Sequence, residues 1–248
     1  MFRIWIIFIF LKFWAAKSDD FSLAFDTSEP VNGGNLRCLI EKGYKTAIFR
    51  IYGDDKGDKI GMKNALNAYY ANLPFEVYIT HTFDVFRLGD QEFEKMYWFA
   101  RDNNMNLDRV WLQVTDPINW EYHEEINVKY ITDFVKASWY RKVKVGLFTS
   151  WYDYNLITVN TTKIQDVEDI WYWNQLGRGV QGESEKDFED FRPIGPFVKP
   201  LIKQFGSQET VCGVLINRNV YKNIYPHNLQ GNFSGIPLGF GANFTVNK

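Results

Sequence analysis

The feature that most constrains the fold of this chain is a series of short, almost continuously apolar segments separated by polar or glycine-rich residues. Such segments are typical of parallel strands that are covered on both faces. Eight of them are predicted as strands, at residues 22–26, 46–52, 75–80, 109–115, 144–150, 170–174, 201–205 and 210–217.

Helix-like segments lie between the early strands. Phe93, Met96, Tyr97 and Ala100 follow the i, i+3, i+4, i+7 spacing of an apolar helix face. Similar stripes occur at residues 36–40 and 126–135, whereas residues 177–200 are rich in glycine, proline and charge and predict a long loop. The alternation predicts an α/β protein with a single irregular (β/α) barrel, similar to a TIM barrel.

Three segments divide the 248 residues. Residues 1–18 have Arg3 near the start, an apolar run at residues 4–11, and small residues at Ala16 and Ser18, which is the pattern of a cleaved secretory signal peptide. The apolar run is too short to span a membrane. We therefore expect a secreted, extracellular chain that begins near Asp19, with a barrel domain at residues 19–224 and an extension at residues 225–248.

The two cysteines, Cys38 and Cys212, suggest one disulfide in a secreted chain, although two buried free thiols would also fit. Barrel closure places the first and last units side by side, which favours the disulfide. It would stabilise the fold by about 4–5 kcal/mol. Asn160, Asn232 and Asn243 begin sequons for N-linked glycosylation.

Composition and motifs exclude several classes of function. The net charge of −2 argues against nucleic-acid binding. The glycine motif at residues 177–182 is followed by acidic residues, which disfavour a nucleotide phosphate. His81, His123 and His227 lack the spacing of metal ligands, so neither a metal nor a cofactor is expected. We expect a monomer.

Polar residues near the predicted strand ends are the candidates for function, because barrel enzymes carry their chemistry at the C-terminal ends of the strands. Asp26 closes the first strand, as a site residue or as a turn residue, and both interpretations stay open. Gln113 and Thr115 share one face at the end of the fourth strand. The aromatic fraction of 18% is enough for a core and for a ring-lined sugar cleft.

Taken together, several blocks resemble the glycoside hydrolase family 25 lysozymes, most closely the lysozyme-like proteins of nematodes. The blocks are 24–28 (AFDTS), 110–115 (VWLQVT) with Pro117, Asn119 and Trp120, 145–153 (VGLFTSWYD), 171–174 (WYWN), 190–192 (DFR), 198–199 (VK) and 211–221 (VCGVLINRNVY). They keep the family order over nearly the whole mature chain. The resemblance implies an irregular β/α barrel and a peptidoglycan-related role in innate antibacterial defence.

The departures from the family pattern affect the catalytic acids. The resemblance implies an acid at Asp26, an Asp-x-Glu pair where this chain has Gln113 and Thr115, and a further Asp where it has Asn217. Glycoside cleavage needs a proton donor and a stabilising carboxylate. Losing the general acid alone costs about 10²–10⁴ in rate.

Three functions remain open on this basis. The first is a secreted protein that binds peptidoglycan with weak or lost hydrolysis, and the second is an active muramidase that combines Asp26 with a substitute acid. The third is a secreted regulatory protein without affinity for sugars. The side chains expected to bind substrate are Arg50, Tyr52, Tyr78, Trp173 and Asn217, with Gln113 beside them, and the substitute acids considered are Asp116, Glu76 and Asp84. While strand geometry persists, the side chain of Asp116 should point away from that of Thr115.

Overall fold

The computed structural model describes residues 21–81, 88–222 and 237–245. Its strands are β1 Phe21–Thr27, β2 Tyr44–Gly53, β3 Lys56–Gly57, β4 Phe75–Thr80, β5 Met105–Leu107, β6 Arg109–Gln113, β7 Lys144–Thr149, β8 Val167–Trp173, β9 Ile202–Val211, β10 Val214–Lys222 and β11 Ala242–Phe244. Its helices are α1 Gly33–Glu41, α2 Lys59–Tyr70, α3 Gly89–Asp102, α4 Glu124–Tyr140 and α5 Trp151–Thr158.

Eight strands close into a barrel in the order β1-β10-β9-β8-β7-β6-β4-β2, and β2 pairs with β1 to complete the ring. β10 runs antiparallel to both of its neighbours, while the other seven strands are parallel. The predicted α/β barrel is therefore confirmed, with one strand reversed. Because the seven parallel strands share a direction, their C-terminal ends form one mouth.

The last two barrel strands differ from the prediction. The segment predicted as one strand at residues 210–217 contains a tight turn between β9 and β10. Cys212 and Gly213 form the turn, both with positive φ, so Cys212 does not lie in a strand as expected. Apolar character continues through the turn, which hid it from the hydrophobic pattern.

The disulfide between Cys38 and Cys212 is confirmed, with the two Cα atoms 5.9 Å apart. It ties α1 to the β9–β10 turn across a sequence separation of 174 residues. Asn35 of the same helix also donates a hydrogen bond to the carbonyl of Cys212, at 3.0 Å. The first helix and the last hairpin are thus fastened together beside the seam of the barrel.

Rings fill the inside of the barrel. Trp171 stacks on Phe148 with ring centroids 3.9 Å apart, and Trp111 packs edge-on against Trp171 at 6.0 Å. A larger apolar core lies between the strands and the surrounding helices. The filled interior leaves the mouth as the place where a ligand can meet polar strand-end residues.

The bottom of the barrel holds buried charge. Glu76, near the start of β4, receives hydrogen bonds from Arg109 at 2.7 and 3.0 Å and from the indole of Trp111 at 3.1 Å. The backbone N–H groups of Gly239 and Gly241 bind the same carboxylate. Part of the predicted C-terminal extension therefore packs against this end of the barrel.

Candidate active site

Asp26 lies in the mouth near the end of β1 and is held by three side-chain amides. Gln204 and Asn219 donate to its Oδ1 at 3.0 and 2.7 Å, and Asn217 donates to its Oδ2 at 2.8 Å. Asn217 reaches it because β10 pairs with β1 in a register that sets the two residues opposite each other. Asn217, which stands where the resemblance implies a further Asp, thus donates its amide to Asp26.

Burial dominates the electrostatics of Asp26. The side chain is 3% exposed, and burial raises its pKa above the ordinary value, while the three amides act in the opposite direction. In the described part of the chain its hydrogen-bond partners are all neutral amides. A buried carboxyl without a cationic partner favours the protonated form more than an exposed one does.

The predicted site residues of the fourth parallel strand form a chain of hydrogen bonds. The hydroxyl of Thr80 donates to Gln113 Oε1 at 3.1 Å, and Gln113 Nε2 donates to Thr115 Oγ1 at 2.8 Å. The hydroxyl of Thr115 then donates to Asp116 Oδ2 at 3.1 Å. Gln113 and Thr115 themselves supply no carboxylate, but the chain of donors ends on one.

The position of Asp116 corrects the expectation that its side chain points away from Thr115. That expectation assumed a strand through Thr115, whereas β6 ends at Gln113. Asp116 has a φ of 55° in the left-handed region, which aspartate tolerates better than most residues. The turn brings the Asp116 carboxylate beside the Thr115 hydroxyl.

The other two substitute acids do not contribute a described carboxylate to the mouth. Glu76 is fully buried at the opposite end of the barrel, where Arg109 neutralises it. The expectation that it flanks the mouth was wrong because it stands near the start of β4 rather than at its end. Asp84 lies outside the described residues.

The predicted binding residues Tyr78 and Tyr52 lie on opposite sides of the barrel wall. Arg50 is partly exposed and forms an ion pair with Asp58 at 2.9 Å. Tyr78 lies inside the barrel, where burial and the charge of Asp26 raise its pKa. Tyr52 instead packs in the core between barrel and helices and donates to Asp55 at 3.2 Å, so it lies outside the polar mouth cluster.

Asp153 is a mouth residue that the sequence reasoning missed. It lies in the first turn of α5, directly after β7, and is 4% exposed. The indole N–H of Trp173 donates to its Oδ2 at 2.8 Å. Burial raises its pKa, and the charge of Asp116 adds to that effect. Ser150 caps this helix, so a Ser-x-x-Asp pattern after a buried strand was the available signal.

A groove of about 550 Å³ adjoins Trp173. Trp151 and Tyr152 line it and remain 44% and 60% exposed. Asn174 and Arg192 add polar groups to the same wall. Half-exposed rings beside amide and guanidinium donors suit a ligand that has both apolar faces and oxygen acceptors, as sugars do.

Two of the three predicted sequons lie among the described residues. Asn160 is exposed, and its Oδ1 accepts a hydrogen bond from the backbone of Gly195 at 2.8 Å. Asn243 lies on β11, and its Oδ1 accepts from Asn106 at 3.1 Å. Asn232 lies outside the described residues, as does His227.

Within the described ranges, no helix is long and apolar enough to cross a membrane. The same ranges contain no group of three or more histidine, cysteine or acidic side chains that could hold a metal ion. His81 contacts Glu92 at 3.3 Å and packs between the rings of Trp120 and Tyr130. The side chains described in the site are carboxyls, amides and aromatic rings.

The barrel with one reversed strand is the fold of solved glycoside hydrolase family 25 lysozymes. The bacterial lysozyme of Streptomyces coelicolor has a similar fold, with a TM-score of 0.63 at 15% identity, covering 81% of this chain and 91% of that one.

Sequence comparison then gives the particular family. The profile of lysozyme-like protein 1 matches residues 17–205. Lysozyme-like protein 2 of Caenorhabditis elegans is 35% identical over 201 residues, or 80% of this chain and 72% of that protein. A probable family 25 lysozyme of Dictyostelium discoideum is 27% identical, over 82% of this chain and 94% of that protein. The chain belongs to the lysozyme-like protein family.

Proposed function

We propose that this chain is a secreted protein of antibacterial defence that binds bacterial peptidoglycan in the barrel mouth, with little or no hydrolysis. The proposal rests on which side chains line the barrel mouth. Asp26 is bound by three amides, and Gln113 and Thr115 stand where the resemblance implies an acid pair. A mouth that keeps polar donors but lacks the acid pair implied by the resemblance favours binding over cleavage.

The groove beside Trp173 supports glycan as the ligand. Exposed rings such as Trp151 can stack on the apolar face of a sugar, and Asn174 can bind hydroxyl groups. Arg192 can pair with the carboxylates that peptidoglycan carries on its peptides. The Cys38–Cys212 disulfide fits an extracellular protein, because such bonds persist in oxidising compartments.

Co-sedimentation with insoluble peptidoglycan tests the binding. The wild type is expected to sediment with peptidoglycan, and Trp151→Ala and Arg192→Ala are expected to weaken it. Trp139→Ala is the matched control, because Trp139 is equally a surface ring, 69% exposed, but lies near the start of β7 rather than at its end. A wild type that stays in solution, or equal losses in all three variants, would refute the proposal.

Secretion has its own test. The proposed signal segment lies outside the described residues, so the test is direct N-terminal sequencing of material recovered from the culture medium of expressing cells. We expect a chain that begins near Asp19. Recovery only inside the cells, or a secreted chain that retains residues 4–11, would contradict this part of the proposal.

A further inference from the structure

We propose that Asp153 and Asp116 form a substitute acid pair in the mouth, with Asp153 as proton donor to a glycosidic oxygen of peptidoglycan and Asp116 as the partner carboxylate. This inference rests on the proposed function and accounts for the slow hydrolysis that the function allows. Neither residue occupies a position at which the family resemblance implies an acid.

The fold holds Asp153 in place at the correct end of the barrel. It stands in the first turn of α5, which begins directly where β7 ends. Its backbone N–H donates to the capping Ser150 hydroxyl at 3.0 Å, and the Trp173 indole fixes Oδ2 at 2.8 Å. A residue held at its backbone from one strand end and at its side chain from the neighbouring one is positioned for chemistry in the mouth.

Asp116 reaches the same region from the neighbouring strand. The short helical turn at Pro117–Asn119, which directly follows it, packs against α5. Asp116 itself is exposed and accepts the hydrogen bond from Thr115 at 3.1 Å. The two carboxyl groups therefore belong to adjoining elements of the mouth, α5 and the turn before Pro117.

Their environments differ in the way that acid–base pairs require. Burial raises the pKa of Asp153, and the negative charge of Asp116 raises it further. Asp116, in contrast, is exposed and accepts a hydrogen bond from the Thr115 hydroxyl. A buried carboxyl that lies near an exposed one suits the roles of a proton donor and its partner.

The hydrolysis balances with one water molecule. The Asp153 carboxyl proton passes to the glycosidic oxygen, and the C–O bond breaks so that its electron pair stays on that oxygen, which leaves as a hydroxyl. Water adds to the anomeric carbon and gives a proton to the Asp116 carboxylate. Exchange of that proton with solvent, and uptake of one by Asp153, restores both groups.

Reducing-end release from purified peptidoglycan tests the pair, using the mature disulfide-bonded chain. We expect Asp153→Asn and Asp116→Asn to lower release by about 10²–10⁴-fold, because each removes an acid–base group. Asp133→Asn, on α4, is the matched control and should leave release unchanged. Each variant is also sedimented with peptidoglycan and its thermal unfolding measured.

A second readout separates chemistry from structure. Carboxyl ¹³C NMR, assigned with Asp153→Asn, should show Asp153 titrating at lower pH in Asp116→Asn than in the wild type, because a negative neighbour has been removed. An unchanged titration would overturn the pairing. If Asp153→Asn fails to fold, reducing-end release by Asp116→Asn tests the pair instead. The Asp116 side chain is exposed, so its replacement leaves the core intact.

The outcomes distinguish this inference from the proposed function. A wild type that binds peptidoglycan but releases no reducing ends overturns the acid pair and leaves the binding function standing. Binding with release that both variants retain also overturns the pair. A wild type that does not bind refutes the proposed function itself.

Discussion

At the scale of single residues, the contrast between Asp26 and Asp153 organises the mouth. Both carboxyls are buried, but Asp26 is held by three amides, whereas Asp153 is held by an indole and lies near a second carboxylate. Asp26 could be placed from its position after the first apolar segment. Asp153 follows a Ser-x-x-Asp pattern that signals a helix start, but its proximity to Asp116 depends on a turn that departs from strand geometry.

Asp26→Asn should stabilise the protein at neutral pH. The folded-state pKa of Asp26 lies above its ordinary value of 3.8, so its burial costs nothing well below that pH and costs progressively more as pH rises through the folded-state pKa. The neutral amide removes this cost, and each kcal/mol gained should raise Tm by about 2–4 °C.

The measurement is thermal unfolding of both proteins from pH 4 to pH 8. The gain should shrink toward the acid end of this range. The exposed Glu125→Gln serves as control for a charge removed without a change in burial. If Asp26→Asn instead lowers Tm by the same amount at pH 7 and at pH 4, the three amides require the carboxylate, and the prediction is wrong.

Restoring acids at the fourth parallel strand should raise hydrolysis. In Gln113→Asp with Thr115→Glu, the Thr80 hydroxyl that now donates to Gln113 can donate to the new carboxylate instead. The gain should be smaller than the 10²–10⁴-fold worth of a general acid, because Thr115 is only 8% exposed and a longer side chain must displace its neighbours.

Reducing-end release measures the result, with the conservative pair Gln113→Asn and Thr115→Ser as control. Adding Asn217→Asp should raise the release rate again if the mouth can still hold all four acids that the resemblance implies. Unchanged rates in a variant that still binds peptidoglycan would show that the restored acids do not reach the substrate.

At the scale of elements, periodic patterns predicted the barrel strands but missed the short strands β3, β5 and β11, the helix α2 and the β9–β10 turn. The helix α2 was not predicted, and its Gly61 explains part of the difficulty. A Cβ there would lie 1.5 Å from the carbonyl oxygen of Arg50, so close packing requires a residue with low helix propensity. The β9–β10 turn was missed because Cys212 continues an apolar run through a left-handed backbone.

The disulfide between α1 and the β9–β10 turn should make a large contribution to stability. Closing a loop of this length restricts the unfolded chain and is worth about 5 kcal/mol in the chain-entropy account. Cys38→Ser with Cys212→Ser should lose that amount in urea unfolding. Wild type reduced before unfolding is the control and should match the double variant, whereas a double variant as stable as the oxidised wild type would contradict the prediction.

The charged cluster at the barrel bottom joins three strands, and Glu76→Gln should break it. The Arg109 guanidinium would lose the Glu76 carboxylate while fully buried, and broken buried pairs cost about 3–5 kcal/mol. Denaturant unfolding measures the loss. Asp133→Asn removes the partner of the exposed Lys129 and should change stability little. Equal effects of the two substitutions would contradict a bottom cluster that stabilises the fold.

At the scale of the whole molecule, the barrel was predictable because each strand carries its own pattern and parallel strands leave few arrangements. Its mouth was predictable only in outline. Asp26 binds Asn217 and Gln113 binds Thr115, whereas Tyr52 turns outward beyond an irregularity in the β2–β4 register. Loop geometry, which sequence periodicity does not encode, decided the remaining contacts.

The rate at which wild-type protein clears a suspension of purified cell walls tests the central claim most directly. It is compared with an active family 25 lysozyme at equal concentration, in samples whose binding to the walls has been measured by sedimentation. We expect bound protein that clears the suspension at least about 10²-fold more slowly, because Gln113 and Thr115 replace the acid pair that the family resemblance implies. Clearing at a comparable rate, abolished by Asp26→Asn, would contradict it and identify an active muramidase.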